Sequence, residues 1–176
     1  MSLRIRLIPR HFRPKRLLVA TVLILAGCGG ASTAIAPPQR VAGTGFVFQA
    51  PAGWQLQRGH NLVMATHDSE LVQVSAFPLQ KPYTDALFGK VTKELTTRVS
   101  QVAAETGGKV AGRSVVTAAG IRSHRYLVTV GDHVDEYTFV LRAKREYLLL
   151  CRRRSSHDQS PCDQLIKSFV LAGRAA

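Results

Sequence analysis

The feature that most restricts the fold is one amphipathic helical segment between two stretches that alternate like strands. Apolar residues recur in this segment at intervals of three and four and therefore share one helix face: Leu87, Val91, Leu95, Val99 and Val102. Pro82 and Thr84 favour a helix start, and Gly107-Gly108 favours an end. An apolar stripe of this kind has to be covered, and the strand-like flanks predict that it lies on a sheet.

The flanking segments alternate between apolar and polar residues, which is typical of β-strands. Strands are predicted at residues 46–49, 62–66 and 70–77, the last ending at Pro78, and then at residues 110–116, 121–130, 134–141 and 147–151. Connections as short as Gly131-Asp132 and Ala143-Lys144-Arg145 imply an antiparallel meander. The predicted fold class is α+β, an antiparallel sheet meander covered by one long helix and a short C-terminal helix.

The short C-terminal helix is predicted from the run Ser160-Pro161-Cys162-Asp163. Ser160 can cap a helix, Pro161 suits its first position, and Asp163 can complete a capping box. Leu165, Ile166 and Phe169 then supply the face that we expect to be buried.

The N-terminal residues form a separate segment with the pattern of an export signal. Arg13, Lys15 and Arg16 precede an apolar run at residues 17–25, which is shorter than the roughly 20 residues that an ordinary transmembrane helix needs. The run closes in Leu25-Ala26-Gly27-Cys28, which resembles the lipobox of bacterial lipoproteins. The resemblance implies cleavage between Gly27 and Cys28 and a diacylglyceryl group on the Cys28 thiol. The alternative is an ordinary secretory signal with an incidental cysteine.

Four segments follow from this interpretation. Residues 1–27 are a lipoprotein signal peptide, residues 28–43 an acylated cysteine with a flexible tether, residues 44–171 a single α+β domain and residues 172–176 a C-terminal tail. Gly, Ala, Ser, Thr and Pro dominate the tether, which has almost no periodic apolar signal. The length of the domain suffices for one hydrophobic core.

The chain is strongly basic, with a formal net charge of +13. Processing would leave the mature chain basic, although it removes only basic residues and no acidic ones. The residues removed are Arg4, Arg6, Arg10, Arg13, Lys15 and Arg16. A basic exported protein favours anionic surfaces such as lipid headgroups and acidic wall polymers, and we expect no nucleic-acid partner. A plainly solvated surface is the alternative.

Cys151 and Cys162 remain as a pair once Cys28 is assigned to lipidation. In an oxidising compartment a disulfide between them is the predicted state. Metal ligation by the two thiolates is the competing interpretation, but no set of ligands at suitable spacing completes a zinc site. A redox pair is favoured less, because catalytic pairs usually have Cys-x-x-Cys spacing.

Catalytic motifs were sought and give no support to an enzyme. The sequence has no Gly-x-Ser-x-Gly, and Gly43-Thr44-Gly45 is better explained by the end of the tether than by a nucleotide loop. Asp135 and Glu136 are neighbours on a predicted strand, so they are expected on opposite faces and not as an acid/base pair. We therefore expect neither an enzyme nor a cofactor.

The best ligand cluster in the sequence consists of His124, His133 and Asp135, on adjacent predicted strands. Two histidines and an aspartate could hold a metal ion if they shared a face. We interpret them as polar residues on the solvent face of the meander, and we expect no metal.

The densest charge run of the mature chain is Arg152-Arg153-Arg154, with Lys144, Arg145 and Lys167 as candidate neighbours. These arginines are candidates for contact with an anionic surface. The alternative is a solvated loop that follows an edge strand. Three charges are fewer than the roughly four to eight of a dedicated lipid-binding cluster, which favours the alternative.

The layout as a whole resembles the Mog1/PsbP-like α/β/α sandwich, and in particular actinobacterial lipoproteins of the LpqN/LpqT type. The residues that carry the resemblance are Phe46-Val47-Phe48-Gln49-Ala50-Pro51-Ala52-Gly53-Trp54, Tyr147-Leu148-Leu149-Leu150-Cys151, Pro161-Cys162-Asp163-Gln164-Leu165 and Ser168-Phe169. The resemblance implies a fold and an accessory, assembly or partner-binding role, as in photosystem II assembly and in a Ran-binding protein. It implies no shared catalytic set.

The function expected from the sequence is a non-enzymatic binding or accessory module on the extracytoplasmic face of the cell membrane. Its membrane contact is the lipid anchor, and its partner is an envelope protein or an anionic glycolipid. The alternatives are a carrier of a small ligand or lipid, with an apolar pocket between helix and sheet, and an envelope hydrolase. A cavity would favour the carrier, convergent polar groups the hydrolase, and an exposed basic or aromatic patch the binding module.

Overall fold

The computed structural model describes residues 36–172. These residues form two antiparallel sheets and two α-helices, with a short 3₁₀ turn before the first helix. In chain order the elements are β1 (Gln39–Gly43), β2 (Phe46–Ala50), β3 (Gln55–Arg58), β4 (Leu62–His67), β5 (Glu70–Tyr83), the 3₁₀ turn (Asp85–Leu87), α1 (Phe88–Glu105), β6 (Lys109–Ala118), β7 (Ile121–Val130), β8 (His133–Arg154), α2 (Ser160–Ser168) and β9 (Val170–Leu171).

The larger sheet has the order β3-β4-β5-β8-β7-β6, and the smaller one the order β1-β2-β9. All neighbouring strands are antiparallel. Most neighbours in the larger sheet are also consecutive in the chain, which is the predicted meander. The long helix α1 interrupts it between β5 and β6, so β8 lies at the centre of the sheet and pairs with both halves.

β8 is a hairpin whose two arms lie side by side. The Ser155 N–H donates to the Asp132 carbonyl at 2.7 Å, so the two ends of β8 meet. Arg152 and Asp135, 17 residues apart, are hydrogen-bonded, whereas a straight strand would separate them by roughly 56 Å. The reversal lies at Ala143, whose φ is +49°. The predicted strands at 134–141 and 147–151 are therefore confirmed, and their connection is a tight turn.

Two hydrophobic clusters occupy opposite faces of this sheet. On one face α1 packs on the sheet through Leu95 and Val99, which join Tyr126, Val128 and Phe139. On the other face α2 and the smaller sheet enclose a larger cluster that includes Phe46, Phe48, Leu149, Leu165 and Phe169. Neighbours along β8 alternate between the clusters, since Leu149 belongs to one and Leu148 and Leu150 pack against the other. The layers are those of the predicted sandwich.

The helix α1 confirms most of the predicted stripe. Leu95, Val99 and Ala103 are buried, and Val91 and Val102 pack at the edge of the same cluster. The helix begins later than predicted. Pro82, predicted at its start, lies within β5, and Leu87 lies in the 3₁₀ turn. It ends at Glu105, just before the predicted stop at Gly107, whose φ of +69° suits glycine.

The predicted boundary between tether and domain is wrong. Residues 39–43, assigned to the tether, form β1, which pairs with β2 along its whole length. The Val41 side chain is fully buried, while its neighbours Arg40 and Ala42 are exposed. The strand was not predicted because one buried side chain gives almost no periodic signal. Backbone pairing with β2 holds the strand in place. The predicted tether residues 28–35 and tail residues 173–176 lie outside the described residues.

Two other local predictions are corrected. The strand predicted to end at Pro78 continues to Tyr83, with a register shift between these two residues that accommodates the prolines. At α2 the residue before the helix is Gln159, so Ser160 lies inside the helix and the predicted capping box does not form. The Asp158 carboxylate instead accepts hydrogen bonds from Ser160, and these lower the pKa of Asp158.

The predicted disulfide between Cys151 and Cys162 is confirmed, with an S–S distance of 2.00 Å. Both residues are buried in the cluster under α2. The bond ties the second arm of β8 to the first turn of α2.

We expect Cys162→Ser to lower the free energy of unfolding by about 2–3 kcal/mol, because the unfolded chain loses a loop constraint. Urea unfolding of oxidised protein measures the change. Cys151→Ser and the double variant should each lose the same amount, since all three remove one bond. Wild type in reductant should unfold like the variants, and an unchanged unfolding midpoint in Cys162→Ser would contradict the expectation.

Candidate functional site

One end of the larger sheet, here called the arginine end, is where Asp132 meets Ser155 and the β8 hairpin opens. Asp135 is fully buried there, and Arg152 binds it through Nε and Nη2, both at 2.7 Å. Tyr137 donates its hydroxyl to Asp135 at 3.4 Å. Burial, followed by the Asp135 charge, raises the pKa of Tyr137 to about 12. Asp135 is therefore a structural counter-ion for Arg152.

The neighbouring carboxylate Glu136 is also buried, and it has its own arginines. Arg125 donates to one of its oxygens, and the guanidinium of Arg153 lies 3.7 Å from the other. Because Arg152 and Arg153 point to opposite faces of one strand, the two carboxylates do so as well. This agrees with the predicted opposite orientation of Asp135 and Glu136.

The arginine run is therefore mostly engaged within the protein. Arg152 and Arg153 neutralise Asp135 and Glu136, and Arg153 also donates to the carbonyls of Arg154 and His157. Arg154 is exposed and donates from Nε to the Ser69 hydroxyl at 3.3 Å. Two of the three arginines are therefore tied to buried carboxylates, and Arg154 is the exposed member of the run. Contact of the run with an anionic surface stays a prediction. The pairing of Arg152 with Asp135 could have been predicted from the sequence. A hairpin whose turn is centred on Ala143-Lys144 has a register that places Asp135 opposite Arg152.

The three residues of the candidate metal cluster do not meet. His124 is 3% exposed and stacks on Phe88, with ring centroids 4.0 Å apart. Its Nε2 lies 3.3 Å from the Thr92 hydroxyl and 3.2 Å from the Phe88 carbonyl. His133 pairs with Asp132, and Asp135 is bound by Arg152. Within residues 36–172 no group of three or more such side chains is placed to hold a metal.

His124 was predicted on the solvent face, and that placement is wrong because α1 covers this end of β7. Burial lowers the pKa of His124, an effect partly opposed by its hydrogen bond to the Phe88 carbonyl and reinforced by Arg113 and Arg122. The Arg122 guanidinium lies 4.2 Å from the centroid of the Phe88 ring, so this ring is held between a cation and an imidazole.

The opposite end of the sheet, here called the hairpin tip, consists of residues 142–145 of β8 and the facing residues 77–83 of β5. All four residues of the turn are exposed. Tyr83 pairs with Ala143 and Pro78 with Arg145, so residues 79–82 bulge across from Lys144. The sequence makes Lys144 and Arg145 candidate neighbours of the arginine run. The hairpin instead places them at the far end of the sheet.

The described cavities are open to the surface. One of about 500 Å³ lies between β2 and α2 and is lined by Gln49, Ser160, Asp163, Gln164, Lys167 and Ser168. Another of about 220 Å³ is lined by residues of β1, β3, β4 and the turns beside them, including Arg58 and His60. Neither lies between α1 and the sheet, where Leu95, Val99 and Tyr126 pack together.

Gly27 and Cys28, the predicted cleavage and lipidation residues, lie outside the described residues. Within residues 36–172 no helix has the length and apolar character needed to cross a membrane.

Comparison with known proteins identifies the fold. No protein-family model and no curated protein matches the sequence. The structure is similar to the cyanobacterial PsbP (CyanoP) of Synechocystis sp. PCC 6803, with a TM-score of 0.61 and 18% identity over 84% of this chain and 98% of that one. It is also similar to a Bacteroides thetaiotaomicron protein, with a TM-score of 0.51 and 10% identity over 75% of this chain and 47% of the other. The chain therefore has the PsbP-like fold, as predicted, and identities this low establish the fold alone.

Replacing Asp135 with Asn should destabilise the protein by about 2–3 kcal/mol. Breaking a buried pair costs roughly 3–5 kcal/mol, and the figure is reduced here because Arg152 is 37% exposed and keeps access to water. Chemical denaturation measures the change. Asp132→Asn, at a carboxylate that is 75% exposed, is the matched control and should stay within about 0.5 kcal/mol of wild type. Equal effects of the two variants would refute the counter-ion role.

The stability of the protein should fall as the pH drops below about 6.5, the usual pKa of imidazole. The folded state binds a proton at His124 less readily than the unfolded state, so acid favours unfolding. His124→Gln should reduce the difference between unfolding free energies measured above and below this pH. His60→Gln, at an exposed histidine, should leave that difference unchanged. An identical pH dependence in wild type and His124→Gln would contradict this expectation.

Proposed function

We propose that this chain is a lipid-anchored, non-enzymatic binding or accessory module on the extracytoplasmic face of a bacterial cell membrane. The anchor is the acylated Cys28 of the lipobox-like sequence, and the PsbP-like domain is the binding part. The observation that carries the proposal is the contrast between the two ends of the sheet. At the arginine end Arg152 and Arg153 are paired with buried carboxylates, whereas the cations at the hairpin tip face solvent.

The environment of the buried ionisable groups supports a non-enzymatic role. Asp135, Glu136 and Glu146 are each paired with an arginine, and neither described cavity is lined by any of the three. A hydrolase would need such groups to converge on an open cleft. Their arrangement here stabilises the fold, which favours a binding module over the hydrolase considered from the sequence.

The packing under α1 favours the binding module over a carrier as well. A carrier needs an apolar pocket between helix and sheet. In the described structure this space holds the side chains of Leu95, Val99, Tyr126, Val128 and Phe139. The described cavities lie elsewhere, between β2 and α2 and beside β1, β3 and β4. The PsbP-like fold is also consistent with a binding or accessory module.

Cys28→Ala should abolish lipidation and release the protein from the membrane, or leave it as a precursor. Metabolic labelling with a clickable fatty acid, followed by membrane fractionation, measures both. Attachment by several acyl chains, at about 0.8 kcal/mol per buried CH₂, is effectively permanent, so the wild type should remain in the membrane fraction.

The matched control is Cys151→Ser, which removes a cysteine of the disulfide and keeps Cys28. It should be labelled like wild type. Undiminished label in Cys28→Ala would show that the acyl group lies elsewhere and would overturn the anchoring.

A further inference from the structure

The hairpin tip carries positive charge that the described part of the chain does not compensate. Its four cations are exposed and form no salt bridge with any described residue: Lys81, Arg142, Lys144 and Arg145. The adjacent carboxylate of Glu146 is buried and accepts both of its hydrogen bonds from Arg98, at 2.8 Å. Asp85 is the acidic residue that follows the β5 segment. The tip therefore presents a clear excess of positive charge.

The β5 segment of the tip also carries apolar side chains that are partly exposed. Phe77 is 41% exposed, which is unusual for a phenylalanine, and Leu79 and Tyr83 are half-buried. Aromatic and aliphatic groups interspersed with lysine and arginine are typical of surfaces that sit at the headgroup level of a bilayer. Four cations also reach the roughly four to eight of a dedicated lipid-binding cluster. The arginine run did not reach that number.

The shape of the tip fits an extended partner better than a small ligand. The tip is the closed end of a hairpin, and neither described cavity is lined by its residues. Small-ligand sites are concave and enclose most of their ligand. A projecting, amphipathic, cationic turn can instead enter the headgroup layer of an anionic membrane.

The chain is long enough for the tip to reach the membrane that holds the anchor. β1 begins at the arginine end, because Gln39 donates to the carbonyls of Pro51 and Trp54, and Trp54 stacks on His67. Asp132 and Ala143 are 11 residues apart along the first arm of β8, so the arginine end and the tip are roughly 36 Å apart. Residues 28–38 could span at most roughly 36–40 Å when fully extended. A fully extended linking segment can therefore just cover the length of the domain.

We propose that the hairpin tip docks on the anionic lipid bilayer that carries the anchor, and so gives the protein a second membrane contact. The inference rests on the proposed lipid anchoring. Lys81, Arg142, Lys144 and Arg145 bind lipid phosphates, and Phe77 enters the headgroup layer. Each cation raises the ratio of docked to undocked domains roughly fivefold, from about 1 kcal/mol per residue.

The test uses the acylated full-length chain, reconstituted into vesicles of phosphatidylcholine alone or mixed with phosphatidylglycerol. A fluorophore is placed at the tip by Gln80→Cys or at the arginine end by Ser156→Cys, both exposed positions. The new thiol is free, because Cys151 and Cys162 are disulfide-bonded and Cys28 is acylated. Energy transfer to a headgroup-labelled lipid reports how close each end lies to the bilayer.

Energy transfer from the fluorophore at the tip to the labelled lipid should rise when phosphatidylglycerol is added. It should fall in high salt, which screens charges. Lys144→Gln combined with Arg145→Gln should lower the docked-to-undocked ratio on the order of 25-fold. The matched control combines Lys93→Gln with Lys109→Gln, exposed lysines of α1 and β6 that change the net charge equally. This control should dock like wild type, whereas Phe77→Ser should weaken docking at unchanged charge.

Transfer that is the same in both kinds of vesicle, or that survives the tip variants, would overturn the docking. A tip that stays away from both vesicles but binds polyglutamate would show that its partner is an acidic protein surface. Flotation distinguishes the two proposals. Chains that float with the vesicles without transfer contradict the docking alone, whereas chains that do not float contradict the anchoring on which it rests.

Discussion

The β8 hairpin is the element on which the rest of the structure depends. Its first arm pairs with β7 and its second arm with β5, so it joins the two halves of the larger sheet. Salt bridges hold its open end, where Arg152 binds Asp135 on one face and Arg153 approaches Glu136 on the other. Without Arg152 the buried carboxylate of Asp135 would be uncompensated, which would cost several kcal/mol. Glu136 is compensated by Arg125 as well as by Arg153. The disulfide then extends the second arm to α2.

The same hairpin separates the charges of the protein into two groups with different roles. At the open end the guanidiniums of Arg152 and Arg153 are counter-ions, and the fold cannot release them without loss of stability. At the closed end the buried carboxylate of Glu146 is bound by Arg98, and Arg142, Lys144 and Arg145 are exposed. A basic run in the sequence is therefore a poor guide to a binding surface. Pairing within the fold decides which cations are available to a partner.

The PsbP-like fold supplies the scaffold for this arrangement and does not specify a partner. One face of the sheet is closed by α1 and the other by α2 with the smaller sheet, which leaves the ends of the strands as exposed surface. Within residues 36–172 the hairpin tip is a surface where exposed cations have no acidic partner. Function in such a domain resides in residues added to the fold, and we propose that here those residues lie at this turn.

The sequence by itself determined the fold class, the helix α1, the meander and the disulfide, because each of these has a local signal. A stripe such as Leu95 and Val99 shows which helix face is buried, and turn residues show where strands reverse. The tertiary structure decided what covers each face. β1 has one buried side chain and β3 has none, so pairing with neighbouring strands defines both. The burial of His124, the use of Arg152 as a counter-ion and the isolation of Lys144 all follow from contacts between residues distant in the chain, and periodicity contains no information about such contacts.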